Sequence, residues 1–250
     1  MIPKQPSTLS LCVENEKVTA CLAGIHSREY TNVLKNVKDI LHPEELDYFS
    51  GLKYERRKLS YLLGRYAAKV AASDYLNDKK LTKIEIFSGL FNQPVVRHLS
   101  FDTPDVTISH CDDIAVAIAF SPCKIMGLDI EYIAEEKLSV FETQLTESEK
   151  HMTSKEFDTV AAGAVCIWTI KEALSKAIKC GFTVPFKILE LKKITPVNDS
   201  AYLSEFKNFK QYKSISVIFY PYILSIVLPC KMMVNTTTSS MLSYFNQLVY

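Results

Sequence analysis

Over residues 54–76 the sequence holds to a helical period, and this stretch constrains the fold more than any other. Leu59, Leu62, Leu63, Tyr66, Ala67 and Val70 recur at three- and four-residue steps and form one apolar stripe. Such a helix must lie on an apolar surface. Its other face, with Glu55, Arg56, Lys58, Arg65 and Lys69, is expected in solvent. Short β-branched and apolar runs follow at 84–87, 95–96, 106–109, 114–120 and 125–130, punctuated by Asn92, Pro94, Asp112 and Pro122, and read as strands. A second long helix is predicted from about 156 to 180, closing on Gly181, with strands at 188–194, 215–219 and 223–228.

Helix then strands, twice, predicts an α+β fold: a pseudo-dimer of two similar helix-plus-antiparallel-sheet halves, with a chemical site at their junction. The halves are expected at 1–122 and 123–234, followed by a polar tail at 235–250. That tail opens on N-T-T-T-S-S, a linker composition expected to pack loosely. Residues 1–40 read as strands and loops. His42-Pro43-Glu44-Glu45 has the proline and acids of a helix start, and T-E-S-E at Thr146 to Glu149 has the form of a capping box.

A chain of 250 residues is long enough to bury a core, and a formal charge of +1 gives no overall bias toward nucleic acid or membrane. The seven cysteines are scattered without a C-x-x-C, which argues against a disulfide framework or a zinc site and for a reducing cytoplasm. MIPKQPSTLSLC lacks the apolar core of a secretory signal. The longest apolar run, 217–228, is broken by Pro221 and is too short to span a bilayer. A cytoplasmic monomer without a membrane or nucleic-acid partner is the expectation.

In Gly127-Leu128-Asp129-Ile130-Glu131, strand alternation puts Asp129 and Glu131 on one face. Two carboxylates so placed repel unless a cation lies between them, and hard oxygen donors suit Mg²⁺ sharing its shell with a phosphate. Taken alone, D-x-E is more often a solvated edge. In Trp168-Thr169-Ile170-Lys171-Glu172-Ala173-Leu174-Ser175-Lys176, Trp168, Glu172 and Lys176 share a helix face. They make either a surface ion pair or a third metal carboxylate with a phosphate-binding lysine. Lys171 and Lys176 together beside the single Trp are unusual for a solvated face. Ser109 and His110 end a strand in T-I-S-H, where a hydroxyl and an imidazole can meet phosphate oxygens. Arg56 and Arg57, in a basic cluster at the start of the first helix, read by themselves as solvated.

In order, R-R-K-L-S-Y-L-L-G-R-Y-A-A-K, N-Q-P, T-I-S-H, G-L-D-I-E and W-T-I-K-E-A-L-S-K-A-x-x-x-G resemble the 4′-phosphopantetheinyl transferases of the longer, Sfp type, from about 54 to 191. The resemblance implies a two-halved α+β fold and transfer of 4′-phosphopantetheine from coenzyme A to a serine of an acyl or peptidyl carrier protein. It places Mg²⁺ on Asp129, Glu131 and Glu172, with Glu172 and Lys176 as catalytic groups. It places the coenzyme on Ser109, His110, Lys176 and Arg56, with Arg57 adjacent. Asn92-Gln93-Pro94 replaces the family's G-K-P, and Lys179 replaces a glycine. A phosphohydrolase using water, or a non-catalytic coenzyme A or carrier-protein binder, are the competing readings.

Overall fold

The computed structural model describes residues 9–13, 16–232 and 238–250. The chain divides into two compact units. One ends at Cys123 and takes in Ser243–Tyr250; the other begins at Lys124 and takes in Thr238–Leu242.

In the first unit, β1 (Leu9–Val13) and β2 (Glu16–His26) lead through a 3-10 turn to α1 (Tyr30–Lys35), α2 (Val37–Ile40), α3 (Pro43–Ser50) and α4 (Glu55–Leu76). Then come β3 (Glu85–Ser88), β4 (Pro94–Arg97), β5 (Asp105–Cys111) and β6 (Ile114–Phe120). The main sheet has the order β1-β2-β6-β5, with β3 and β4 paired apart, and the pairings are antiparallel. α4 packs on β2, β6 and β5. Ala67, Ala68, Ala71 and Ala72 share one core with Ala23, Ala115, Ala117 and Ala119, and these small side chains on both surfaces let helix and sheet approach closely. The strands-and-loops expectation for residues 1–40 holds for β2 but not for 30–40. There α1 and α2 are too short to display a helical period, and each buries one residue, Val33 or Ile40.

The second unit runs β7 (Gly127–Tyr132), α5 (Leu138–Glu142), α6 (Glu147–Glu156), α7 (Val160–Ala177), β8 (Leu191–Asn198), β9 (Ala201–Phe206), β10 (Tyr212–Phe219) and β11 (Tyr222–Pro229). Its antiparallel sheet has the order β7-β11-β10-β9-β8, with α7 against β7 and β11. The single helix expected over 156–180 is two. Phe157 is extended after α6, and the Thr159 hydroxyl accepts the Ala162 N–H at 3.1 Å to start α7. After α7 both Lys179 (φ 55°) and Gly181 (φ 53°) are left-handed, so the lysine sits in a conformation that favours glycine.

The two units share a buried device. α3 and α6 each open on a capping box whose glutamate, Glu45 or Glu149, turns inward. Lys69 of α4 reaches Glu45 Oε2 at 2.7 Å, and Lys171 of α7 donates to Glu149 Oε2 at 2.6 Å. Glu45 Oε1 accepts the Ile86 N–H of β3 at 2.8 Å, and Glu149 Oε1 accepts the Leu191 N–H of β8 at 2.9 Å. Each lysine also donates to a carbonyl, Leu81 at 3.1 Å or Gln144 at 3.0 Å. Burial lowers the pKa of both ammonium groups, and the facing glutamate opposes that shift. Lys69 is therefore not on a solvated face; it is fully buried, because an acid three residues into a capping box supplies its counter-charge.

Residues 238–249 also depart from expectation. They form α8 (Thr238–Val249), with Met241, Tyr244 and Phe245 buried. In the first unit the Tyr244 hydroxyl accepts the Gly24 N–H at 2.7 Å, and Arg28 donates to the Leu248 and Val249 carbonyls. The linker-like opening masked an apolar spacing of three and four residues. Residues 235–237 of it lie outside the described residues.

Candidate functional site

In the second unit the site begins with Gly127. A Cβ there would lie 1.9 Å from the Ala173 carbonyl oxygen and 2.7 Å from the Ala177 amide nitrogen, so glycine is what lets the α7 backbone rest on β7. Two residues on, Asp129 is buried, opposite Ser225 of β11. Ser225, Thr169 of α7 and Ser216 of β10 form a fully buried hydroxyl chain with 2.8 Å contacts, which fixes the helix on this face of the sheet. Gly127→Ala is expected to push α7 off β7, lowering the melting temperature and separating Lys176 from Asp129. Overpacking of this kind typically costs about 1–3 kcal/mol. Thermal denaturation together with the transfer assay checks it.

With α7 so placed, the Lys176 ammonium donates to Asp129 Oδ1 at 2.7 Å. Glu172, one turn earlier, is half-buried, and its Oε1 is buried with no hydrogen-bond partner among the described residues. Burial pushes the Glu172 pKa up to about 7; Asp129 and, more weakly, Glu131 add repulsion, and Lys176 opposes. A further turn back, Trp168 stacks on Phe186, with ring centroids 4.9 Å apart and planes 6° from parallel, and tilts against Phe141 at 5.5 Å. Its indole N–H is buried and also lacks an acceptor among the described residues. Lys171, the other lysine beside Glu172, points away into the ion pair with Glu149.

Three carboxyl groups and a lysine thus interact along β7 and α7, and Glu172 keeps one buried carboxylate oxygen without a hydrogen-bond partner among the described residues. An orphaned, partly buried carboxylate oxygen with further acids as neighbours fits a hard divalent cation such as Mg²⁺. Among the described residues, no three His, Cys, Asp or Glu side chains are drawn close enough to hold a metal by themselves. A cation here would complete its shell with water and substrate oxygens.

The first unit presents a different surface. His110 is exposed at the end of β5, and its Nε2 lies 2.8 Å from the Ser60 hydroxyl of α4. Ser109 is buried on the opposite side of the strand and lines neither cavity beside His110. One of these cavities, about 550 Å³, is lined by Arg57, Ser60, Tyr61, Arg65 and His110. The other, about 710 Å³, is lined by Tyr54, Arg56, Arg57, Ser60 and His110. The structure therefore brings Arg56, Arg57 and His110 together and leaves Ser109 behind the strand. Sequence reading missed Ser60, Tyr61 and Arg65, although 57, 60, 61 and 64 fall on one helical face and flag it. Asn92 of the N-Q-P segment is left-handed (φ 61°) and lines the first cavity, while the Gln93 Oε1 accepts the Phe91 N–H at 2.8 Å. Gln93 is thereby used to close its own hairpin.

A family model for the 4′-phosphopantetheinyl transferase superfamily matches residues 125–227. The segment contains Asp129, Glu131, Glu172 and Lys176 and excludes Arg56, Arg57, Ser109 and His110. Among solved structures, a holo-(acyl-carrier-protein) synthase from Bacillus anthracis str. Ames in complex with CoA (3′,5′-ADP) is similar at 22% identity, covering 45% of this chain and 97% of its own, with a TM-score of 0.38. A holo-ACP-synthase from Plasmodium yoelii is similar at 22% identity, covering 41% of this chain and 91% of its own, with a TM-score of 0.36. The holo-[acyl-carrier-protein] synthase of Thermotoga maritima is similar at 22% identity over 44% of this chain and 67% of its own, with a TM-score of 0.34. No curated protein matches the chain. Among the described residues no helix is long and apolar enough to cross a membrane.

Proposed function

We propose that this chain transfers 4′-phosphopantetheine from coenzyme A to a serine hydroxyl of an acyl or peptidyl carrier protein, as a transferase of the Sfp type acting as a cytoplasmic monomer. The observation that carries the reading is the Asp129–Lys176 pair beside the under-neutralised Glu172, within the segment matched by the superfamily model. Asp129, Glu131 and Glu172 would hold Mg²⁺, which when bound polarises phosphoryl oxygens and offsets charge on the leaving phosphate. The chain's own residues do the rest. The serine oxygen forms a bond to the β-phosphorus, the bond from that phosphorus to the bridging oxygen breaks, and adenosine 3′,5′-bisphosphate leaves. Glu172 takes the serine proton, a role that requires its carboxylate within hydrogen-bond reach of the hydroxyl. Lys176 swings from Asp129 to the departing phosphate oxygen. Arg56, Arg57 and His110 hold the nucleotide end, and Ser109, behind the strand, takes no part in that contact.

The test is the mass of an apo carrier protein after incubation with this chain, Mg²⁺ and coenzyme A. A gain of one phosphopantetheine is expected. Breakdown of coenzyme A with no gain on any of a panel of acyl and peptidyl carriers would show water to be the acceptor and overturn the reading.

A pH effect follows from Glu172. Its pKa is raised in the folded chain above the ordinary 4.5, so its contribution to stability is fully present below that value and is lost as pH rises through about 7. Without Mg²⁺ the melting temperature should fall between pH 5 and pH 8, and Mg²⁺ should raise it more at pH 8 than at pH 5. Glu172→Gln should flatten both trends; equal Mg²⁺ effects at the two pH values would remove Glu172 from the metal set.

A further inference from the structure

The geometry points to Ser60 as a positioning residue for the nucleotide end of the substrate, acting through His110. This rests on the transferase reading and adds to it a group outside the acids, basic residues and Ser-His pair already assigned.

Two observations converge. The Ser60 hydroxyl lies 2.8 Å from His110 Nε2, across fifty positions of sequence, so the contact links α4 to the end of β5 and is not a by-product of local turn geometry. Arg57, Ser60 and His110 line both of the cavities described beside His110 and form the wall common to them. A ring that binds an anion must present one edge, and the Ser60 contact bears directly on which edge that is. A hydroxyl suits this task because it both donates and accepts. It donates to a bare Nε2 and accepts from an Nε2–H, so it holds the ring in one orientation whichever state an approaching phosphate favours. Ser60 thus sets the direction of the imidazole while Arg57 supplies fixed charge on the same wall.

The experiment uses the full chain with two readouts. First, the ¹⁵N shifts of the His110 ring are measured without ligand; Ser60→Ala must move them, and unchanged shifts overturn the inference whatever the chain's activity. Second, binding of 3′,5′-ADP is measured by calorimetry. Ser60→Ala should weaken it about five-fold, the worth of roughly one hydrogen bond, and Ser60→Thr should restore it. His110→Ala should weaken binding at least as much, with little added by Ser60→Ala on top of it. In the transfer assay the loss should fall on KM for coenzyme A and spare kcat. Wild-type affinity in Ser60→Ala, or full additivity with His110→Ala, overturns the positioning role. If the wild-type chain binds neither 3′,5′-ADP nor coenzyme A, the transferase reading fails, and the ring shifts still decide whether Ser60 orients His110.

Discussion

Asp129→Asn is expected to reduce phosphopantetheine transfer by about 10²–10³-fold, the range seen when one preorganised electrostatic group is removed from a transition state. The substitution keeps shape and volume, so the 4% exposed side chain should stay packed against α7 and the fold should survive. What changes is charge. Lys176 loses the partner it holds at 2.7 Å, and one of the three acids that would share Mg²⁺ is neutralised. Removing Asp129 also removes the largest charge repelling Glu172, so the Glu172 pKa should fall toward its ordinary value. The variant should therefore show weak Mg²⁺ binding by calorimetry, a weaker fall in stability between pH 5 and pH 8, and near-wild-type circular dichroism. Transfer at the wild-type rate would overturn the role given to Asp129, and with it the metal set.

Lys171→Met should have the largest effect on stability and should act without touching the reacting groups. Lys171 and Glu149 are both fully buried, and removing one partner leaves the other as an uncompensated buried charge, which typically costs about 3–5 kcal/mol. Glu149 would still cap α6 and accept the Leu191 N–H, so its charge could not leave without breaking those contacts as well. The melting temperature should drop sharply, and the remaining folded enzyme should keep most of its kcat. Adding Glu149→Gln to Lys171→Met should recover much of the loss, since a neutral pair needs no counter-charge. A Lys171→Met variant as stable as wild type would show that the buried ion pair contributes nothing to the fold. Denaturant titration of the two variants decides this.

The architecture was largely legible because the long helices and the strongly apolar strands, Ile114–Phe120 and Tyr222–Pro229 above all, advertise their period. Elements decided by few residues were not. α1 and α2 are too short for a period, and β9 (A-Y-L-S-E-F) alternates but hides behind Ser204 and Glu205. α8 follows a run of Thr and Ser that reads as a linker. In the site, the strand alternation behind Asp129 and the i, i+4 spacing of Glu172 and Lys176 are local facts, and local facts survive in sequence. Lys69 was misread, and the partner of Lys171 was not found, because Glu45 and Glu149 lie more than twenty residues away. Ser60 was missed for the same reason: only the folded chain places it against His110.

The paired lysines also give the two units a common ruler. One residue past Lys69 stands Val70, and one residue past Lys171 stands Glu172; five residues past them stand Asp74 and Lys176. Three residues before them stand Tyr66 and Trp168, whose hydroxyl and indole N–H are both buried without hydrogen-bond partners among the described residues. The frame that fixes helix on sheet is thus the same twice, and chemistry is confined to side chains that the frame does not need. An ancestral module of this kind can be doubled and then diverge freely at those neighbouring positions, so that one copy carries Val70 and Asp74 where the other carries Glu172 and Lys176, while each copy remains pinned by the same glutamate and lysine.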